Sequence, residues 1–393
     1  MVALINVRIL TPLKVIEQGA VVIDSGKISF CGSMQDADIP EDMDRLDLTG
    51  RSIMPGMIDV HIHGLLGHLT MGEGLSEVIR ALPRFGVTSF LATTVTMPED
   101  RIRSALKTMK AILEAPPPGA QCLGIHIEGP HLSPNRPGMA NPDWFIPLTI
   151  DGLREYQSAA GGHIRMITFA PEVGGALNLI PDLLQMGIVP VIGHSDATFE
   201  IVEDAVNFGL AHATHTYNAM RPLHHRDPGV VGAVLAFPEI VAELIADGHH
   251  VHPVAMRVLF NAKGVENVCL ISDAAPFAEL PEGTYQWDSY EIIVEEGTCR
   301  SPDGILAGAY RLLDHGFRTL IRQVGLKPEE AATSASLVPA QSLGIEDQKG
   351  AILPGMDADL VIMDRNYEVE LTFIEGKVAW AKDEASGQWQ FQS

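Results

Sequence analysis

The sequence predicts an α/β protein: a closed (β/α)8 TIM-like barrel with a small β-sandwich built from both chain ends. Three observations carry this. Eight short apolar runs alternate with helix-like stretches through the middle of the chain. β-Branched runs broken by turn signals fill the first 50 residues and recur near the other end. Neither end has enough strands to bury a sheet face by itself, so the two are expected to pair. The expected sandwich takes residues 1–52 and 350–393, and the barrel takes 53–349.

At the start, Val2–Leu10, Ala20–Asp24 and Lys27–Cys31 read as strands, with Ser25-Gly26 as a turn. The barrel runs are Met57–Ile62, Thr88–Thr93, Cys122–Ile127, Met166–Ala170, Val189–Ile192, Ala211–Thr214, Val241–Ala246 and Val268–Ile271. Helical spacing of apolar residues lies between most of them, over Leu75–Phe85, Glu99–Leu113, Leu177–Met186, Thr198–Phe208 and Pro253–Ala262. After the turn Pro354-Gly355, strands are expected at Ala358–Met363, Glu368–Phe373 and Lys377–Ala381. An open doubly wound sheet would need fewer strands, and no GxGxxG loop comes after the first run.

Composition narrows the function. With 393 residues and 46% hydrophobic content, the chain can bury a large core, which excludes a disordered chain. Lys and Arg total 27 against 50 Asp and Glu, a net charge of −23. A surface this acidic repels phosphate backbones and anionic membranes, so neither a nucleic acid nor a membrane is expected as a partner. A small anionic ligand would need a local basic pocket. Cys31, Cys122, Cys269 and Cys299 show no CxxC spacing and read as thiols of a reducing compartment. The N-terminus is interrupted by Asn6 and Arg8 and lacks a secretory core, and no apolar run nears the roughly 18 residues of a membrane span. A cytoplasmic location is expected.

The residues at the far end of each apolar run carry the chemistry. The runs end in His61-Ile62-His63, Glu128-Gly129-Pro130, Gly193-His194-Ser195-Asp196, His215-Thr216-Tyr217-Asn218, Asp247-Gly248-His249-His250 and Asp273. In a barrel the strand C-termini open onto one face, so these side chains would converge on one mouth. His61 and His63 are two apart and face the same side of a strand. With Glu128, His194 and His215 at neighbouring strand ends, the pair reads better as ligands of a divalent cation than as two satisfied core histidines. Imidazoles mixed with a carboxylate suit Zn²⁺ best, and also Fe²⁺, Mn²⁺ or Co²⁺. Asp273, at the last strand end, is placed to shuttle a proton; the plainer alternative is a helix N-cap.

Other polar residues carry less. His126 shares a face with Glu128 and reads as core or as support for the ligands. His131, His212, His224 and His249 read as polar loop residues, Cys122 as a small buried hydrophobe, and Glu200, Glu203 and Asp204 as a solvated helix face.

Together these segments resemble the amidohydrolase superfamily, and within it the N-acetylglucosamine-6-phosphate deacetylase family. The matching stretches are PGMIDVHIHG (55–64), GIHIEGPHLSP (124–134), APE (170–172), GHSDAT (193–198), THTYNAM (214–220), HHRDPG (224–229), IADGHHV (245–251), LISDA (270–274) and GAILPGMDADLVIMD (350–364). The resemblance spans nearly the whole chain and implies a distorted (β/α)8 barrel with a small β-sandwich, usually as a homodimer. It implies that Glu128, His194 and His215 hold the principal metal and that His61 and His63 can hold a second, so one or two divalent cations per chain. It makes Asp273 the catalytic aspartate. It also makes Asn218, Ala219, Arg226 and His250 the residues that bind an amino sugar phosphate, partly through backbone amides, with Arg226 reaching across the dimer interface.

Two stretches depart from the family pattern. Ala140 stands where the family has a His beside the reacting carbonyl, and Leu306-Ala307-Gly308-Ala309-Tyr310-Arg311-Leu312-Leu313 replaces LAGSxLTM. The reaction implied is metal-assisted hydrolysis of an N-acetyl amino sugar phosphate to acetate and amino sugar phosphate. The rival readings are a cyclic-amide hydrolase or deaminase of the same superfamily, and a metal-binding paralogue without catalysis.

Overall fold

The structure is a computed structural model and describes residues 1–12, 14–288 and 290–382. Residues 383–393, part of the expected sandwich, lie outside the described residues.

Eight parallel strands form the central sheet in chain order: Met57–Ile62, Val87–Thr93, Gln121–Glu128, Ile164–Phe169, Val189–Ile192, His212–Ala213, Val241–Ile245 and Val268–Ile271. They are the eight expected runs, with ends moved by a residue or two. Both faces of such a sheet are covered, which is why the strands read as near-continuous apolar runs; all six residues of the first strand are buried. Helices occupy the intervals, among them Leu75–Ala81, Glu99–Glu114, Ile180–Gln185, Phe199–Asn207 and Pro253–Lys263. In Glu99–Glu114 the buried residues Ile102, Leu106 and Met109 recur at helical spacing, so one stripe faces the strands.

Two helices between barrel strands were not expected. Ile150–Ala159 starts at Thr149, whose side chain accepts a hydrogen bond from the Gly152 backbone N–H. Gly229–Ala236 has the sequence GVVGAVLA and is buried along most of its length. With no polar face, it has no amphipathic period to detect.

The first and eighth strands share no ladder. Their seam is closed by the Asp273 backbone N–H donating to the His61 carbonyl at 2.8 Å, and by the Asp59 carboxylate on Ser272.

The two chain ends do pair. Their sheet has eight strands and runs in the order Lys377–Ala381, Val369–Ile374, Leu360–Met363, Ser52–Pro55, Val2–Thr11, Lys14–Asp24 and Lys27–Ser33, with Asp44–Asp47 also on Val2–Thr11. Ser52–Pro55 lies parallel to the N-terminal strand and antiparallel to Leu360–Met363. Leu4, Ile9, Ile53, Ile362 and Phe373 belong to the separate apolar cluster beneath it.

A three-stranded antiparallel sheet, Gly283–Trp287, Tyr290–Glu295 and Thr298–Arg300, comes after the eighth barrel strand. Its sequence signals are the alternation in Tyr290–Glu295 and the turn at Glu296-Gly297, and the pattern of eight strand–helix repeats does not capture them. Among the described residues, no helix is long and apolar enough to cross a membrane.

Candidate active site

Backbone geometry turns the strand-end side chains into the mouth. Glu128 closes the third barrel strand, and His61 lies in the first with His63 just beyond it. His194, His215 and Asp273 each lie two residues past a strand and have positive φ, at 46°, 20° and 50°. Non-glycine residues hold such angles only where the surroundings impose them, at a cost of about 1–3 kcal/mol each. At Gly193, just before His194, an added Cβ would run into the side chains of Thr214 and Thr168. The sharp exit of that strand therefore needs glycine.

Four imidazoles and two carboxylates meet. The Glu128 Oε1 lies 3.1 Å from His215 Nε2, 3.2 Å from His194 Nε2 and 3.5 Å from His61 Nε2. Its Oε2 lies 3.2 Å from His63 Nε2. Asp273 Oδ1 stands 3.2 Å from His63 Nε2 and 3.5 Å from His61 Nε2. These donors fall into two compact groups, Glu128 with His194 and His215, and His61 with His63 and Asp273; a third, His61 with His126 and Glu243, has both His126 nitrogens already bonded, to the Val60 carbonyl and the Thr168 hydroxyl. All of them are buried or nearly so.

This donor set fits divalent cations. His194 Nδ1 is 3.0 Å from the Arg136 carbonyl, so it carries the proton and leaves Nε2 with a lone pair. His61 Nδ1 likewise faces a carboxylate, Glu243, at 3.0 Å. Yet Nε2 of His61 is 3.2 Å from Nε2 of His63, and Nε2 of His194 is 3.1 Å from Nε2 of His215. Lone pairs pointed at one another this closely need positive charge between them. Burial by itself would push His63 down, but the bonds and charge of Asp273 and Glu128 raise its pKa to about 9. The pocket stabilises a cation, whether a proton or a metal.

The mouth opens into a cavity of about 370 Å³. His63, Glu128, His194, His215 and Asp273 line it together with Asn218, Ala219 and His250. Phe277, Trp287, Tyr290 and Ile292 supply an apolar wall, three of them from the strands Gly283–Trp287 and Tyr290–Glu295 of the three-stranded sheet. Ala140 and the stretch Ile305–Gly308 also line it, so the Ala140 departure faces the cavity, whereas Ala309–Leu313, where the second stretch leaves LAGSxLTM, is not among the lining residues. His250 Nδ1 bonds Asp247 Oδ2 at 2.7 Å. Burial lowers the pKa of His250, but the Asp247 carboxylate outweighs this and raises it, which favours a positive charge on the cavity wall. Arg226 is exposed, with Nη1 2.8 Å from His225 Nε2, and is not among the residues lining the cavity.

Several sequence readings need correction. Asp273 caps no helix: the segment after it is a run of turns. His212 is not a loop residue but a buried member of the sixth barrel strand, with Nε2 3.0 Å from Glu243 Oε1. His131 is also buried, its Nδ1 on the Ile146 carbonyl at 3.0 Å. The reading of His126 as core holds: Nδ1 donates to the Val60 carbonyl, Nε2 accepts from Thr168 Oγ1, and burial lowers its pKa to about 3. Glu243 was missed altogether. It is one polar residue inside the apolar run Val241–Ile245, and its partners come from the first and sixth barrel strands and from the loop after the sixth.

The sequence profile of the Amidohydrolase family matches residues 52–379. A Bacillus subtilis (strain 168) protein named N-acetylglucosamine-6-phosphate deacetylase is 38% identical over 97% of each chain. An Escherichia coli O157:H7 protein named N-acetylgalactosamine-6-phosphate deacetylase is 37% identical over 83% of this chain and 87% of its own length. The crystal structure of N-acetylglucosamine-6-phosphate deacetylase from Pasteurella multocida superposes with a TM-score of 0.90 at 29% identity, covering 97% of this chain and 99% of that one.

Proposed function

The chain belongs to the amidohydrolase family, and from that premise we propose that it hydrolyses the N-acetyl group of N-acetylglucosamine 6-phosphate or a closely related N-acyl amino sugar phosphate. The observation that carries this is the meeting of Asp273 with two groups of cation donors beside a sugar-sized cavity. Glu128, His194 and His215 would hold one divalent cation, and His61, His63 and Asp273 a second. Zn²⁺ fits this mixture of imidazole and carboxylate best. When bound, such a cation polarises the acyl carbonyl and makes water a usable nucleophile near neutral pH.

The chain's own groups do the rest. Water adds to the acyl carbon while the Asp273 carboxylate takes its proton. As the carbon–nitrogen bond breaks, Asp273 returns the proton to the sugar nitrogen, and acetate and the free amine leave. His250, whose protonated form the Asp247 carboxylate favours, faces the phosphate from the cavity wall, and Asn218 with the Ala219 backbone orients the sugar. Arg226, exposed in a single chain, would complete the phosphate site from the second subunit of a homodimer. The four free cysteines suit a reducing, cytoplasmic setting.

The test is a panel of N-acetylglucosamine and N-acetylgalactosamine, each with and without the 6-phosphate, reading acetate and free amine together. Release from the phosphorylated sugars is expected. Turnover of the unphosphorylated sugars alone would overturn the phosphate assignment, and no release from any of them would overturn the reading.

A further inference from the structure

Glu243 is fully buried inside the barrel, and its carboxylate is saturated with donors. Oε2 faces His61 Nδ1 at 3.0 Å, Thr214 Oγ1 at 2.8 Å and the His215 backbone N–H at 3.2 Å. Oε1 faces His212 Nε2 at 3.0 Å. Nothing in the proposed reaction uses this residue. A buried carboxylate is costly to keep, and an uncharged side chain would fill the space as well.

Its contacts tie the two donor groups together. Accepting the Nδ1 proton of His61 fixes the tautomer that leaves Nε2 free, aimed at His63, Glu128 and Asp273. The same oxygen holds the backbone of His215 in its unusual φ of 20°, the turn that points this ring toward Glu128 and His194. One oxygen atom thus restrains a ligand from each group. Carboxylates that orient a metal-binding imidazole in this way change metal affinity by about 10–100-fold when removed.

We propose that Glu243 is the positioning residue for both cation groups, setting their affinity without touching substrate or cation. The proposal rests on the metal-dependent reading of the site, and its test separates the two.

Metal-stripped wild type, Glu243→Gln and His212→Gln are titrated with Zn²⁺ against a chelator, with melting temperature measured on the same stripped samples. His212 bonds Glu243 but reaches no ligand, so it reports the purely structural share of the network. Glu243→Gln is expected to weaken Zn²⁺ binding 10–100-fold while His212→Gln stays within about twofold of wild type. Equal affinity in Glu243→Gln and wild type overturns the proposal, as does an equal loss in both variants. Failure of the wild type to bind Zn²⁺ overturns the metal reading itself, and the proposal with it. Should Glu243→Gln not fold, histidine-¹⁵N-labelled, Zn²⁺-loaded wild type decides by NMR. A proton on His61 Nδ1 is expected, and an unprotonated Nδ1 overturns the proposal.

Discussion

Asp59 reaches across the barrel seam and accepts hydrogen bonds from Ser272, from the backbone N–H at 3.2 Å and from the hydroxyl at 2.5 Å. These bonds join the one pair of adjacent barrel strands that share no ladder. Burial raises the Asp59 pKa to about 7, even though the Ser272 and His61 bonds lower it. The folded protein therefore holds this proton over a range where the unfolded chain releases it.

Linkage sets the sign. Between about pH 4 and 7 the folded state binds more protons at this group, so its contribution to stability falls as pH rises. Three pKa units are worth roughly 4 kcal/mol as a ceiling. Asp59→Asn removes the titration, so the variant should gain on the wild type between pH 5 and 8. Urea unfolding of metal-stripped protein at both pH values checks this, and a constant difference would refute it.

Cation affinity should rise with pH. His63 holds a proton up to about pH 9 in the absence of metal, and binding must displace it. Apparent Zn²⁺ affinity is expected to climb with pH through pH 7 to 9 as the His63 proton is displaced, together with the proton that Glu128 and Asp273 favour on His61, whose pKa they also raise well above its usual value. Chelator competition at several pH values measures it. A flat profile across that range would remove His63 from the ligand set.

Glu128→Gln should cost more metal than the loss of any single imidazole. Glu128 lies within 3.1–3.5 Å of Nε2 on all four histidines, so both groups depend on its charge. His61→Asn should reduce content only toward that of one group. Metal analysis of the two variants side by side separates these outcomes; full retention in Glu128→Gln would exclude it as a principal ligand.

Asp273→Asn should lower turnover by about 10²–10⁴, the range for loss of a general acid-base group. Asp273 does not belong to the group formed by Glu128, His194 and His215, so cation retained there should persist. Turnover and metal content are measured on one preparation. Near-normal turnover would end the proton-shuttle role.

The strand ends were legible because polar side chains interrupt apolar runs there, and a barrel sends all those interruptions to one face. That reasoning expected Glu128, His194, His215 and Asp273 to converge without knowing their distances, and they do lie together. It could not find Glu243 or the burial of His212, since a lone polar residue within an apolar strand gains meaning only when partners from other strands arrive. Nor could it close the seam, where Asp59 meets Ser272, 213 residues away in the chain. Gly229–Ala236 escaped because a wholly buried helix has no stripe. Arg226 sits outside the cavity of one chain, a position that motif matching cannot supply.

The strand Ser52–Pro55 is made early, yet one of its two neighbours, Leu360–Met363, is made about 300 residues later. At typical synthesis rates that gap lasts roughly 15–60 s. Throughout it, a growing chain carries an apolar strand with a bare hydrogen-bonding edge, immediately before the barrel begins. Such an edge invites pairing with other nascent chains. Shielding that one short segment until translation is nearly finished would keep the growing chain from such pairing.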